Sequence, residues 1–192
     1  DLICWSAIGA RTTESQVHRQ LVSGLSMPTG FKNNTNGDCK IAIDAIMSAN
    51  TPHYFYGITY DGKAARISTT GNLDCHLILR GSKNGPNYYI DDIKNIQYIM
   101  DENKLDSSIM IDCSHDNSRK DYKNQHIVWN YYLENYISNK NIIGLMLESN
   151  LNEGKQTLTD NIDALQYGVS ITDSCIDFTE TNNLILNMYN IL

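Results

Sequence analysis

Five short apolar runs, separated by stretches with helical periodicity, constrain the fold of this chain more than any other feature. The runs are residues 4–10, 29–31, 75–79, 109–113 and 142–147. Each is short enough for a strand, and the last two are almost continuously apolar, which is typical of strands buried on both faces. A repeated strand–helix alternation predicts an α/β fold, in which right-handed crossovers join the strands of a parallel sheet.

Between these runs, apolar residues recur at the spacing of one helix face. The predicted helices are residues 14–26, 39–49, 91–102, 122–138 and 179–192. One segment departs from the strand–helix alternation, because residues 53–59 and 64–70 are rich in β-formers and flank an Asp-Gly pair. Such a pair between two strands indicates a tight turn. We therefore predict that residues 53–70 form an inserted β-hairpin.

Composition narrows the class of protein. The chain has 192 residues, 41% of them hydrophobic and 19% charged, which suits one folded domain. A net charge of -7 argues against a nucleic-acid partner. No run reaches the roughly 18 apolar residues of a membrane span, so no membrane partner is expected. The five cysteines include no CxxC pair, which favours a reducing cytoplasm.

A strong polar residue follows each of the five predicted strands. The first three are the cations Arg11, Lys32 and Arg80, and the next two are His115 and Glu148. The carboxyl ends of parallel strands form the ligand-binding face both in barrels and in open sheets. Three cations gathered there repel one another unless an anion joins them, so we expect a substrate with phosphate or carboxylate groups.

The remaining strand-end residues suit a divalent metal. His115 and Glu148 are joined by Asp173, which lies in the loop after the last predicted strand. Imidazole together with carboxylates fits Mn, Fe, Co or Zn, and such an ion can act as a Lewis acid on a carbonyl group. Backbone N–H groups of Ala10 and Arg11, next to Gly9, can help to hold an oxyanion.

Several stretches of this sequence resemble one enzyme family. They are WSAIGARTTESQVHRQLVSGLSMPTGFKN from Trp5, GNLDCHLILRG from Gly71, MIDCSH from Met110, IIGLMLESNLNEG from Ile142 and YGVSITDSCI from Tyr167. Together they are similar to the class I 3-deoxy-D-arabino-heptulosonate 7-phosphate (DAHP) synthases. The resemblance extends over essentially the whole chain.

This resemblance implies a (β/α)8 TIM barrel, of which residues 1–192 are the C-terminal part, with strands four to eight, their helices and the hairpin. It implies a transferase of the shikimate pathway, which condenses phosphoenolpyruvate with erythrose 4-phosphate to give DAHP and phosphate in the first step of aromatic amino acid biosynthesis. The implied substrate-binding residues are Ala10, Arg11, Lys32 and Arg80, and the implied metal ligands are His115, Glu148 and Asp173. Lys32 and His115 are the implied catalytic residues.

The family pattern also includes parts that this sequence lacks. Its first three barrel strands bring a Gly-Pro-Cys metal ligand and a Lys-Pro-Arg-Thr substrate loop, so we expect an N-terminally truncated chain that is inactive alone. Asp116 stands after His115 where a small residue is usual. That extra negative charge leads us to expect altered geometry beside the metal site.

The resemblance further implies feedback inhibition by tyrosine or phenylalanine and a homo-oligomer. In the family, the inhibitor binds between the first helix and the inserted hairpin. The matching positions are Leu21, Leu25, Ser26, Phe55, Gly57 and Ile67. The alternative for Leu21, Leu25 and Phe55 is that they simply belong to the core.

Two alternative functions stay open at this point. The chain could be a non-catalytic remnant or an effector-binding subunit, with an exposed sheet edge at each end. It could also belong to a related synthase that makes an eight-carbon sugar acid phosphate, although the long hairpin and the GARTTESQ stretch argue against that enzyme.

Overall fold

The structure is a computed structural model that describes residues 2–192. The chain divides into two compact units. The first unit comprises the described residues up to Leu79 together with Lys94–Ile109, and the second comprises Arg80–Ile93 and Met110–Leu192.

Strands and helices alternate along the chain as the apolar pattern predicts. The strands are β1 (Ser6–Ile8), β2 (Thr29–Lys32), β3 (Tyr54–Ile58), β4 (Ala64–Ser68), β5 (Cys75–Leu79), β6 (Ile109–Asp112) and β7 (Ile142–Met146). The α-helices are α1 (Gln16–Val22), α2 (Cys39–Ala49), α3 (Ile90–Glu102), α4 (Gln125–Asn135) and α5 (Phe178–Ile191). Short 3-10 helices cover Tyr122–Asn124 and Ile162–Ala164.

Parallel pairing organises the first unit. β2 lies between β1 and β5, and Phe31 of β2 is in register with Ile8 on one side and Leu77 on the other. Every residue of β5 is buried, as expected for a strand that is covered on both faces. The predicted α/β fold with a parallel sheet is therefore confirmed.

Helix α2 shows how local sequence sets an element of this unit. Asp38 caps the helix, since its side chain accepts a hydrogen bond from the Lys40 backbone N–H at 2.8 Å. The helix buries its apolar face through Ala42, Ile43, Ala45, Ile46 and Ala49. Its bounds are those that the periodicity predicts.

β3 and β4 pair antiparallel and form a separate two-stranded sheet within the first unit. The turn between them contains Gly62, whose φ of +77° only glycine adopts without strain. One face of this hairpin is half-buried, and it carries Phe55, Gly57, Ala65 and Ile67.

In the second unit, β6 and β7 are neighbours in the sheet. The backbone N–H of Cys113 donates to the carbonyl of Met146 at 2.8 Å, which joins the ends of these two strands. Asp121 accepts from the Lys123 N–H and begins the 3-10 turn that leads into α4. α5 begins at an Asp177 cap, whose carboxylate accepts from the Glu180 N–H.

Helix α1 is shorter than the predicted 14–26, and it exposes Val17 and Leu21, which the periodicity places on one apolar face. It ends at Val22, and the Ser23 hydroxyl then donates to the Gln20 carbonyl at 2.6 Å. Val17 is 72% exposed and Leu21 is 57% exposed, whereas Val22 is fully buried. The interpretation of Leu21 as a core residue is therefore wrong.

None of the helices in the described part of the chain is both long and apolar enough to cross a membrane.

His76 is a buried group of the first unit with a testable pH effect. Its Nε2 accepts a hydrogen bond from Trp5 Nε1 at 3.1 Å, which fits a neutral ring. Burial lowers the pKa of His76 below its ordinary value of 6.5. As the pH falls through 6.5, the unfolded chain takes up a proton at this site before the folded chain does.

We therefore expect the free energy of unfolding to fall with decreasing pH over this window, and His76→Gln to reduce that dependence. Urea unfolding between about pH 5.5 and 7.5 measures it. His126→Gln, a change at an exposed histidine, is the control. An equal pH dependence in His76→Gln and the unchanged protein would contradict the assignment.

Candidate metal and anion site

Three predicted metal ligands meet in the second unit. His115 Nε2 lies 3.8 Å from Glu148 Oε1 and 3.8 Å from Asp173 Oδ2, and the three ligand atoms all lie within 4.8 Å of one another. Two atoms that each bind one metal ion at about 2.1 Å are at most about 4.2 Å apart, so small shifts suffice for a common ion. Two carboxylates at this spacing repel each other unless a cation neutralises them. The donor set therefore fits a divalent metal.

The imidazole of His115 is oriented for such a role. Its Nδ1 lies 2.8 Å from Asp112 Oδ2 and 2.7 Å from Ser114 Oγ. The Ser114 hydroxyl itself donates to Asp112 Oδ1 at 2.6 Å, so it accepts from the ring. Nδ1 therefore carries a proton, and Nε2 is the ring atom that lies 3.8 Å from each of the two carboxylates. Sequence reasoning missed Asp112 and Ser114, although both belong to the quoted MIDCSH stretch.

The backbone of His115 has a φ of +53°, an uncommon conformation for a residue with a side chain. The loop holds it there, because the His115 carbonyl accepts from the Lys120 N–H at 2.7 Å and from the Ser118 hydroxyl at 3.1 Å. This tight loop turns the ring from the end of β6 toward Glu148.

Glu148 is positioned through its backbone. The fully buried Gln125 donates from Nε2 to the Glu148 carbonyl at 3.0 Å, and its Oε1 accepts from the Glu148 N–H at 2.8 Å. The Ile176 N–H also donates to the Glu148 carbonyl at 3.0 Å. Gln125 is a positioning residue that sequence reasoning missed, because a glutamine on a helix carries no pattern that predicts such a contact.

Arg80 also lies in the second unit, and Asp116 is its ion-pair partner. Arg80 Nη1 lies 2.7 Å from Asp116 Oδ2, and the two side chains are only 9% and 10% exposed. The carboxylate of Asp116, next to the candidate metal ligand His115, therefore neutralises a buried cation. Its effect on metal-site geometry stays a prediction.

The other predicted substrate residues lie in the first unit. Arg11 is exposed and follows β1, whereas Lys32 is half-buried and ends the neighbouring parallel strand β2. The buried Thr13 hydroxyl contacts both the Gly9 carbonyl at 3.0 Å and the Lys32 carbonyl at 2.7 Å. It thereby joins the loop that carries Ala10 and Arg11 to the end of β2. Thr13 is a second positioning residue that sequence reasoning missed, although it lies in the quoted GARTTESQ stretch.

The predicted effector residues lie in the first unit as well. Phe55 and Ile67 are register partners on the half-buried face of the hairpin. A Cβ atom at Gly57 would lie 2.8 Å from Ile67 Cγ1, so a side chain there would compete with Ile67 for space. The hairpin end contacts the region after α1, because Ser23 Oγ and Thr69 Oγ1 lie 2.8 Å apart. Leu21, Leu25 and Ser26 flank this contact in the sequence.

Thiolate chemistry does not fit this site. All five cysteines are free thiols. Burial, then the charge of Asp112, raises the pKa of Cys113, and burial, then the charge of Glu148, raises the pKa of Cys175. Burial also raises the pKa of Cys75 to about 12. These thiols stay protonated near neutral pH, so they are poor nucleophiles.

The fold and site define an α/β protein with a histidine–dicarboxylate cluster, formed by residues that follow β6 and β7 and by a residue of the loop before α5. A family model, the DAHP synthetase I family, matches residues 1–186. The chain belongs to the DAHP synthetase I family.

Individual relatives agree with this result. The chain is 47% identical over 190 residues to the Tyr-sensitive phospho-2-dehydro-3-deoxyheptonate aldolase of Escherichia coli, covering 98% of this chain and 53% of that protein. It is 48% identical over 191 residues to the Phe-sensitive enzyme of that species, covering 99% and 54%. The solved structure of such an aldolase from Francisella tularensis matches with a TM-score of 0.93 and 44% identity, covering 99% and 55%. The chain therefore spans about half the length of these relatives.

Proposed function

We propose that this chain supplies the metal ligands and part of the substrate site of a DAHP synthase. The reaction is the condensation of phosphoenolpyruvate with erythrose 4-phosphate to give DAHP and phosphate. The observation that carries the proposal is the convergence of His115, Glu148 and Asp173 in a member of the DAHP synthetase I family. The same convergence gives no support to the alternative of a non-catalytic remnant.

The residues of the metal site have two roles: some bind the ion and one orients a ligand. His115, Glu148 and Asp173 hold a divalent ion of the Mn, Fe, Co or Zn class. When bound, that ion supplies Lewis-acid polarisation of the aldehyde of erythrose 4-phosphate. Asp112 keeps the proton of His115 on Nδ1 and so keeps Nε2 available as a ligand.

The cations bind the anionic groups of phosphoenolpyruvate. Arg11 and Arg80 present planar guanidinium groups that match phosphate or carboxylate, and Lys32 adds a point charge. The Ala10 and Arg11 amides add neutral donors in the loop that Thr13 holds. In this proposal, Lys32 and His115 are the catalytic residues.

The fold proposal follows the resemblance. The chain forms strands four to eight of a (β/α)8 barrel, with residues 53–70 as an inserted hairpin. The half-buried hairpin face and the residues that follow α1 form the binding site for an aromatic amino acid inhibitor. Relatives named Tyr-sensitive and Phe-sensitive support this regulatory role. A homo-oligomer and a cytoplasmic location stay predictions.

The test is a direct assay of condensation. The protein, supplied with Mn²⁺, phosphoenolpyruvate and erythrose 4-phosphate, is mixed with and without a polypeptide that contains the N-terminal half of a DAHP synthase. We expect DAHP and phosphate to form in equal amounts only when both parts are present. If no condensation is detected when both parts and Mn²⁺ are present, the proposed function is contradicted. Arabinose 5-phosphate in place of erythrose 4-phosphate tests the eight-carbon alternative.

A further inference from the structure

The contact between Arg80 and Asp116 places an anion of the protein itself on a proposed anion-binding residue. The two charged atoms are 2.7 Å apart, and both side chains are about nine-tenths buried. Charges at this distance interact strongly when water is excluded. Arg80 therefore has a charge partner before any ligand arrives.

The surrounding backbone holds Asp116 in this position. The Arg80 carbonyl accepts from the N–H groups of Asp116 at 3.2 Å and Asn117 at 3.3 Å. The Gly81 N–H donates to Asn87 Oδ1 at 2.8 Å, and the Asn87 N–H donates to Asn117 Oδ1 at 3.0 Å. The two short segments are thus joined by several hydrogen bonds, and the carboxylate stays beside the guanidinium.

The second oxygen of Asp116 has a weaker cationic neighbour. Lys120 Nζ lies 3.7 Å from Asp116 Oδ1, and the lysine side chain is 70% exposed. Exposed ion pairs contribute little because solvent screens them. The negative charge of Asp116 therefore acts mainly on Arg80.

We propose that Asp116 is an internal counter-ion that weakens the binding of phosphoenolpyruvate at Arg80 and so sets the affinity for this substrate. The inference rests on the proposed function, because it takes Arg80 as a ligand of the substrate anion. An incoming phosphate or carboxylate meets like-charge repulsion from Asp116, whose carboxylate lies 2.7 Å from Arg80 Nη1.

The test compares the binding of phosphoenolpyruvate and of inorganic phosphate by calorimetry. Asp116→Asn removes the charge and keeps the shape of the side chain, and Asp116→Ala removes both. We expect each variant to bind both anions at least about tenfold more tightly than the unchanged protein. Asp163→Asn removes an exposed charge of the same unit and should bind like the unchanged protein. Urea unfolding verifies that each variant is folded.

A double substitution shows whether the effect passes through Arg80. In an Arg80→Gln background, Asp116→Asn should no longer raise the affinity for either anion. The inference would be overturned if Asp116→Asn bound the anions no more tightly than the unchanged protein. It would also be overturned if Asp116→Asn still raised the anion affinity in the Arg80→Gln background. Failure of every form to bind either anion would overturn it too, because Arg80 would then not be an anion ligand.

A kinetic assay of condensation distinguishes the failure of this inference from the failure of the proposed function. In the assay with both polypeptide parts, Asp116→Asn should lower KM for phosphoenolpyruvate and leave kcat unchanged. Condensation with an unchanged KM would retain the function and overturn the role of Asp116. Tighter anion binding in Asp116→Asn without any condensation would retain the role of Asp116 and contradict the function.

Discussion

Replacing His115 with alanine is expected to abolish metal binding and, in the assay with both polypeptide parts, condensation. In the proposed metal site His115 supplies the imidazole ligand, and without it Glu148 and Asp173 remain as two nearby carboxylates. Loss of an outer partner of a metal ligand typically costs 10–100-fold in affinity, so loss of the ligand itself should cost more than about 100-fold. Calorimetric titration with Mn²⁺ or Co²⁺ measures this loss independently of turnover.

Two further variants sharpen that experiment. His126→Ala removes an exposed histidine of the same unit and should leave Mn²⁺ affinity unchanged. Asp112→Asn keeps the shape of the side chain that contacts His115 Nδ1 but removes its charge, so we expect an intermediate loss of about 10–100-fold. Unchanged Mn²⁺ binding in His115→Ala would contradict the assignment of this site.

The second large effect is expected for stability, from Gly81→Ala. Gly81 has a φ of +77°, and a Cβ atom there would lie 2.6 Å from the Asn117 backbone nitrogen and 2.7 Å from the Asp116 carbonyl carbon. Left-handed backbone costs about 1–2 kcal/mol for alanine, and forcing backbone apart adds about 1–3 kcal/mol. The free energy of unfolding should therefore fall by about 2–5 kcal/mol.

Gly154→Ala is the matched control for that change. Gly154 lies in the same unit with a φ of +88°, but a Cβ atom there would meet nothing within 4 Å. Only the backbone cost of about 1–2 kcal/mol applies to it. Urea unfolding, followed by the fluorescence of the buried Trp129, compares the two variants. Equal losses of stability would show that the close approach of Gly81 to the Asp116 loop does not matter.

Local patterns of this sequence predict most of the fold. The bounds of β5 and α2 agree with the apolar runs, since a fully buried strand and an amphipathic helix each leave a signal in consecutive residues. The Asp-Gly pair likewise marks the turn between β3 and β4. The bounds of α1 agree less well, because periodicity identifies an apolar face and does not reveal what packs against it. Val17 and Leu21 lie on such a face and are exposed.

The candidate site, like the fold, has features that the sequence predicts and features that only the folded structure shows. The sequence by itself determined that His115, Glu148 and Asp173 are candidate ligands. The first two end neighbouring strands, which lie at one edge of a sheet, and Asp173 lies in the loop after the last strand. Only the tertiary structure decided that Asp112 orients His115, that Gln125 holds Glu148 and that Asp116 neutralises Arg80. The last two pairings join residues far apart in the sequence, and the first depends on the left-handed turn at His115. The path of the folded backbone and the burial of both partners away from water determine such contacts. Neither of these produces a periodic pattern in the sequence.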